Sequence, residues 1–504
     1  MIKRKSPAVI HALCAPLWFI AFIMNSSVIA DAAAVWSFGL LVYWFWSRLG
    51  NGIEMIRFVR MGSILLGLIQ NAGWIIASFI HRLFIGKPVD SSLRHLMKGG
   101  LDVSNYALAI LFITLFCLTL SIFGSHHLVR ALEVKIFERL SVLKNTPAGK
   151  FNKFLLVFSG ISVLLVMAGI MGFRSVAVEG LAEGEVPVWL ALYRSVLPGQ
   201  VLLTALLLFK LINKKNERSF LSWTTMILSM ITMLFVFFTD GRRSLLFAIV
   251  GIVYWYIFFS GKKPKLILVI LISTVVYPLF NQGMLFFNFL RGENGIANWQ
   301  TASAVDVLPQ AWERFQSSAA ILADEKKNTL ENLATRPLEA TPLGLCLQLS
   351  SYQKSFTTGE NFVNSMLWTI PGPLFPSKKN YPVQENLLYK HFAVGRDKEE
   401  DTVDSIYLTA YTEFSWAGIL IYSLFATALW LAVIYLCSRW NVNGIILLIV
   451  VTIFFKLFFS GIGESSLSEW MITGRSFLFW IIIYRMATIF YGRTATVRRI
   501  YFTS

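Results

Sequence analysis

The stretch Asp240-Gly241-Arg242-Arg243-Ser244 lies between two long apolar runs, 220–239 and 245–260. Two adjacent arginines at a membrane boundary are costly unless they snorkel to the interface or hold a charged substrate, ion or partner. Arginine suits phosphate, because its planar donors bind two oxygens at once and its charge persists at any physiological pH. Other ionisable groups gather near the same ends of apolar runs. Arg291 follows the run 265–285, Glu413 precedes or opens the run 415–437, and Glu464 and Arg475 bracket the short turn before the last run. Lys456 lies inside the run 443–461, about one turn from its outer end. Brought together, these groups would form a positively charged outer mouth holding one or two carboxylates. Its chemistry would be electrostatic, with arginines stabilising a phosphate leaving group and a carboxylate activating a hydroxyl.

Each residue also has a purely structural reading. Lys456 can form a salt bridge with Glu464, and Glu413 or Glu464 can be a charge partner and nothing more. Other chemistries find no footing in the sequence. His81, His95, His126, His127 and His391 show no metal-ligand spacing, and there is no Gly-rich phosphate loop and no Gly-x-Ser-x-Gly motif. Neither a metal nor a cofactor is expected. Cys14, Cys117, Cys346 and Cys437 offer no plausible pair on one side of a membrane, so no disulfide framework is expected.

The elements that must position these groups follow from composition. The chain is 56% hydrophobic and only 14% charged over 504 residues, which identifies a polytopic membrane protein. The net charge of +17 sits mostly in short segments between apolar runs, the pattern of loops facing anionic lipid, and it does not indicate a nucleic-acid partner. With about 20 apolar residues needed per crossing, the sequence predicts an all-α fold of about twelve transmembrane helices. They lie near 8–25, 32–48, 61–80, 104–124, 153–173, 196–213, 220–239, 244–260, 265–285, 415–437, 443–461 and 475–491. The first of these imitates a secretory signal, with Lys3-Arg4-Lys5 before it and Val28-Ile29-Ala30 after it, and is read as a retained helix.

The distribution of Lys and Arg then sets orientation. Alternate loops carry Arg48, Arg57 and Arg60; Arg130, Lys135, Arg139, Lys144 and Lys150; Lys214, Lys215 and Arg218; Lys262, Lys263 and Lys265; and Arg493, Arg498 and Arg499. The intervening turn 25–31 has none, and the turn 174–194 carries Glu179, Glu183 and Glu185. Both termini are therefore expected in the cytoplasm. The expected organisation is nine helices over 1–285, one large external loop over 286–405, three helices over 406–491 and a cytoplasmic tail, 492–504. That loop is far longer than a connection requires. Its segment 312–333 reads as an amphipathic helix, and 369–376 cannot be helical because of Pro371, Pro373 and Pro376. The loop is expected to fold as a small cap over the outer mouth. No internal repeat is visible, which argues against a transporter of two related halves.

In order and topology the chain resembles the bacterial oligosaccharide repeat-unit polymerases, the Wzy-type O-antigen and exopolysaccharide polymerases. The residues that carry the resemblance are Asp240-Gly241-Arg242-Arg243-Ser244-Leu245 opening a span, the large loop before the last three spans, and Ile370-Pro371 to Pro376-Ser377-Lys378-Lys379 within it. Tyr407-Leu408-Thr409-Ala410 with Glu413-Phe414-Ser415-Trp416-Ala417-Gly418 is similar to the opening of the family's next span. Gly463-Glu464-Ser465 and Gly474-Arg475-Ser476 are similar to its closing turn. The chain departs from some members in one respect: no arginine of the two larger outer loops has a glycine eleven positions on.

The resemblance implies a GT-C-like membrane-embedded architecture and an inverting, metal-independent glycosyltransferase of the bacterial inner membrane. Its donor and acceptor would be polyprenyl-pyrophosphate-linked oligosaccharides within the lipid bilayer, and a chain-length-regulating co-polymerase would be a possible partner. Arg242, Arg243 and Arg475 would hold pyrophosphate, with Lys456, Arg291, Lys378 and Lys379 as further contacts, and Glu464 or Glu413 would be the base. Two other readings stay open, an O-antigen ligase and a flippase or exporter of lipid-linked sugars.

Overall fold

The computed structural model describes residues 6–60, 62–80, 102–167, 188–240, 242–263, 265, 309–310, 312–313, 315–316, 340–350, 356–370, 374–382, 387, 391–392, 405–440, 442, 444, 446–447, 449–454, 457, 467–468, 470–475, 477–479, 481–482 and 485–486. Among the described residues the chain is all-helical and contains no strand. Among the same described residues four stretches are long and apolar enough to cross a membrane, and several shorter apolar helices pack with them, as in an α-helical membrane protein.

Two helices, α1 (Pro7–Met24) and α2 (Ser27–Arg48), form an antiparallel pair. Asn25 turns the chain between them in the left-handed region, φ 44°, which asparagine tolerates better than most residues. The buried stripe Ala30, Ala33, Ala34 and Ser37 lets neighbouring backbones approach α2 closely. Next come α3 (Gly52–Arg60) and α4 (Gly62–Ile80). The central element is α5 (Val103–Phe123), which has no charged residue and whose N-terminus is capped by the Asp102 carboxylate accepting from Asn105 N–H at 2.7 Å. Both α1 and α4 pack on it.

The next helix, α6 (His127–Val142), is amphipathic and buries Val129, Glu133, Ile136 and Leu140 at helical spacing. A second group follows: α7 (Gly149–Met167), α8 (Val188–Asn213), α9 (Phe220–Asp240) and α10 (Arg242–Ser260). A polar hub joins three of them. The Gln200 amide of α8 donates to Ser159 Oγ of α7 and to Ser229 Oγ of α9, both at 3.1 Å. Such bonds have few competitors in a dry interior, so they fix helix register there.

Contacts between ends of elements fall into two sets. On one face, Lys263 Nζ donates to Trp46 O and Ser47 O at 2.9 Å, and Arg139 Nη1 donates to Cys437 O at 3.1 Å. Lys210 Nζ donates to Lys144 O at 3.0 Å, and Ala148 N–H donates to Glu217 Oε2 at 2.9 Å. On the opposite face, Ser104 N–H donates to Asn25 Oδ1 at 2.9 Å and Trp74 Nε1 donates to Asp31 Oδ1 at 2.8 Å. These are the same two groups of ends that the Lys and Arg count separates. We call them the basic face and the opposite face. Near the basic face the fully buried Glu133 accepts from Trp430 Nε1 at 3.2 Å and lies 3.6 Å from Arg57 Nε.

Spans expected at 153–173 and 196–213 appear as described helix over 149–167 and 188–213, and the span expected at 265–285 lies outside the described residues. Of the amphipathic helix expected over 312–333, the described residues 312–313 and 315–316 are helical, and so are 309–310 just before it. Gly474-Arg475 is not a turn. Residues 467–475 are helical wherever described, and Leu467, Trp470, Phe477 and Ile481 recur as one buried stripe. The last helix therefore begins before its expected start, and Gly474 is tolerated within it at a cost of about 1 kcal/mol.

Candidate functional site

Ile406 to Arg439 is one apolar stretch of 34 residues, which as a straight helix would reach about 50 Å, far beyond a bilayer core of about 30 Å. It is broken. Helix α13 (Ile406–Phe414) starts at Ser405, whose hydroxyl accepts from Leu408 N–H at 3.2 Å, and ends at Ser415 with φ 52° and ψ −139°. A 3₁₀ turn, Ser415–Ala417, leads into α14 (Gly418–Arg439). The two helices meet so closely that a Cβ on Gly418 would stand 1.9 Å from the Ala410 carbonyl oxygen. Every residue from Ile406 to Glu413 is buried.

The contacts of this elbow set its depth. The ring of Tyr411 meets Phe112 at 5.6 Å between centroids, and Ser423 Oγ donates to Phe116 O at 3.3 Å. Phe112, which Trp416 also meets at 5.3 Å, is nine residues along α5 from Val103, about 14 Å at the helical rise. The elbow is thus level with the middle of α5 rather than with its outer end. Beside it, α11 (Ala340–Ser350) packs on α5 and α13, and none of its residues from Ala340 to Leu349 is exposed. The segment expected to cap the bundle from outside therefore places at least α11 against a membrane-spanning helix.

Glu413 closes the elbow. It is 1% exposed. Its Oε1 accepts from Phe362 N–H at 2.7 Å, the Asn361 N–H also donates to the carboxylate, and Tyr422 O–H donates to Oε2. Asn361 and Phe362 belong to the first turn of α12 (Glu360–Trp368), which has no side-chain cap of its own at Gly359. A carboxylate from a distant helix thus caps α12, where free N–H groups and the positive end of the dipole both favour negative charge. A second tie runs alongside, Thr357 N–H donating to Thr412 O at 3.0 Å.

The other end of α12 meets the opposite charge. Arg475 Nη1 donates to the carbonyl of Thr369, the C-cap residue, at 2.7 Å, and a cation there complements the negative end of the dipole. The chain beyond folds back as a strap. Trp368 Nε1 donates to Tyr381 O at 3.0 Å and Asn364 Nδ2 to Pro382 O at 2.6 Å. Lys378, in the 3₁₀ turn Pro376–Asn380, is 5% exposed, lies 5.2 Å over the Trp368 ring and donates to Ile370 O at 3.4 Å. Replacing Arg475 with alanine is expected to cost about 1.5 to 3 kcal/mol, the value of a charge-assisted bond. Amide exchange of the last turn of α12 would report it, with the first turn unaffected.

The structure therefore joins two of the expected site residues, Glu413 and Arg475, through one helix, and it assigns each a positioning contact. Three expectations change. Glu413, expected near the outer end of a span, is buried against the first turn of α12, in a run that is folded at Ser415. Arg475 lies within a helix, not at a turn. Lys378 is buried in the strap, so its amine is committed to Trp368 and Ile370. Arg242 and Arg243 are the first two residues of α10, on the opposite face, one residue after α9 ends at Asp240. The side chains of Arg242, Arg243 and Lys379, and residues Arg291, Lys456 and Glu464 entirely, lie outside the described residues. Sequence reasoning missed Tyr422 and the first turn of α12. Tyr422 is nine residues from Glu413, a spacing with no helical meaning until the elbow brings the two together.

No protein family matches the chain, and neither a curated protein nor a solved structure does.

Proposed function

We propose that this membrane protein is a glycosyltransferase that joins oligosaccharide repeat units carried on a polyprenyl pyrophosphate, on the membrane face opposite the basic loops. The observation that carries the reading is the placement of Arg242 and Arg243 as the first residues of α10 on that face. Two cations at a helix N-terminus oppose the local dipole, and a bound anion relieves both. Pyrophosphate on a lipid carrier is an anion that arrives at this depth. The acceptor hydroxyl of one unit attacks the anomeric carbon of the other, and the bond from that carbon to the pyrophosphate oxygen breaks. The hydroxyl proton passes to a carboxylate, and the arginines hold the charge on the departing pyrophosphate. Since donors engage both oxygens of Glu413, the proposal gives the base role to Glu464 and leaves Glu413 to position α12.

Deleting the gene in its host and resolving surface glycan and lipid-linked intermediates by electrophoresis tests this. The expected result is single units exported and attached, with no ladder above them, and no recovery of the ladder by a gene carrying Arg242→Ala with Arg243→Ala. Polymer accumulating on the carrier lipid would point to a ligase instead, and single units held on the cytoplasmic leaflet to a flippase.

A further inference from the structure

Helix α12 is built inside out. Its buried residues are Asn361, Asn364 and Ser365, all polar, whereas Val363 and Met366 are 55% and 53% exposed. In water this pattern would be unstable, since polar groups are desolvated and apolar ones are not. In hydrocarbon it is the stable arrangement, because polar groups must find partners within the protein and apolar ones need none.

The surroundings agree on depth. The Phe362 ring packs 5.7 Å from that of Phe425 and 6.4 Å from that of Tyr422 on α14. Between those two, Ser423 is bonded to Phe116, inside α5 and away from either end. On α14, close in sequence to the residues that Phe362 meets, Leu420, Ile421 and Leu424 are exposed apolar residues too, at 58%, 40% and 54%. From this we infer that α12, although part of the long segment between membrane spans, is bedded in the acyl chains of the bilayer, with Val363 and Met366 as its lipid-contacting residues. This holds independently of the reaction proposed above.

Spin labels on the full-length protein in phosphatidylethanolamine and phosphatidylglycerol vesicles test the inference. The four native cysteines are buried, so a cysteine introduced at an exposed position takes the label over a background set by the unsubstituted protein. Val363→Cys and Met366→Cys are compared with Leu424→Cys on α14 and with Asn380→Cys, an exposed polar position in the strap. Collision with oxygen, which concentrates in hydrocarbon, is measured against collision with a water-soluble nickel chelate. The expected ratio at 363 and 366 is that of Leu424 and several-fold above that of Asn380. Because the vesicles contain no isoprenoid, such a ratio is contact with acyl chains. Nickel access equal to that at Asn380 would place the face in water and overturn the inference. Low access to both reagents would mean that a second copy or another protein covers it, which overturns it equally.

Discussion

Glu413→Ala is expected to release the first turn of α12, and Glu413→Gln is expected to keep it. Alanine leaves the Asn361 and Phe362 N–H groups and the Tyr422 hydroxyl without the acceptor they share. Each orphaned buried group costs about 1 to 3 kcal/mol, so exchange of those two amides should accelerate by about a hundredfold, at 1.4 kcal/mol per factor of ten. Glutamine can still accept from Phe362 N–H with its oxygen while its amide nitrogen donates to the Tyr422 oxygen. It forfeits the charge on the dipole, about 0.3 to 1 kcal/mol, and the acceptor of the Tyr422 O–H, but it keeps the bond that holds the first turn. Protection near the native level in Glu413→Gln, with polymer still made, identifies a positioning residue. If the polymer vanished while protection stayed intact, the carboxylate would be removing a proton after all, and the role given to Glu464 would fail.

Gly418→Ala should destabilise the protein by about 3 kcal/mol or more, at the upper end of overpacking costs. The sign is informative because local preference points the other way. Gly418 has φ −58° and ψ −29° at the start of a helix, where alanine is favoured over glycine by about 1 kcal/mol. The obstacle is the Ala410 backbone, with its carbonyl oxygen 1.9 Å and its carbon 2.4 Å from the added methyl. A backbone cannot rotate aside as a side chain can. Gly199→Ala is the matched comparison, because there the methyl meets only the Ile449 side chain, at 2.7 Å, which can change rotamer at a cost of about 1 kcal/mol. Thermal unfolding in one detergent should rank Gly418→Ala well below Gly199→Ala. Equal midpoints would overturn the Ala410 backbone as the obstacle.

How much of this was legible in the sequence differs by element. The helices α1, α2 and α5 announce themselves, because lipid demands long apolar runs and offers nothing to satisfy a broken backbone. Pairing of Lys263 with Trp46 and Ser47, or of Asp31 with Trp74, follows the charge count loop by loop. Glu413 and Arg475 stood out as ionisable groups near apolar runs, but their partners did not. A helix cap supplied from fifty residues away leaves no spacing to read, and the elbow that makes it possible depends on one strained serine and one glycine. Hydropathy could not place α11 or α13 either, since a run of about ten apolar residues is equally a buried core helix or half a crossing. The polarity inversion of α12 was readable in principle, with Asn361, Asn364 and Ser365 at helical spacing. Its place in a long loop between apolar runs conceals it, because such a loop ordinarily faces water.

The fold at Ser415 has a consequence for counting. Helix α13 passes through the turn at Ser415 straight into α14, whose far end meets Arg139 on the basic face, so the two helices together count as one crossing, as an unbroken run would. The nine residues of α13 can therefore be folded against α14 without moving a single lysine or arginine across the membrane. A rule that reads sidedness from loop charge is blind to such a break by construction. For this chain, loop charge and helix packing agree at the described ends, while the broken elements between them have to be found from who touches whom.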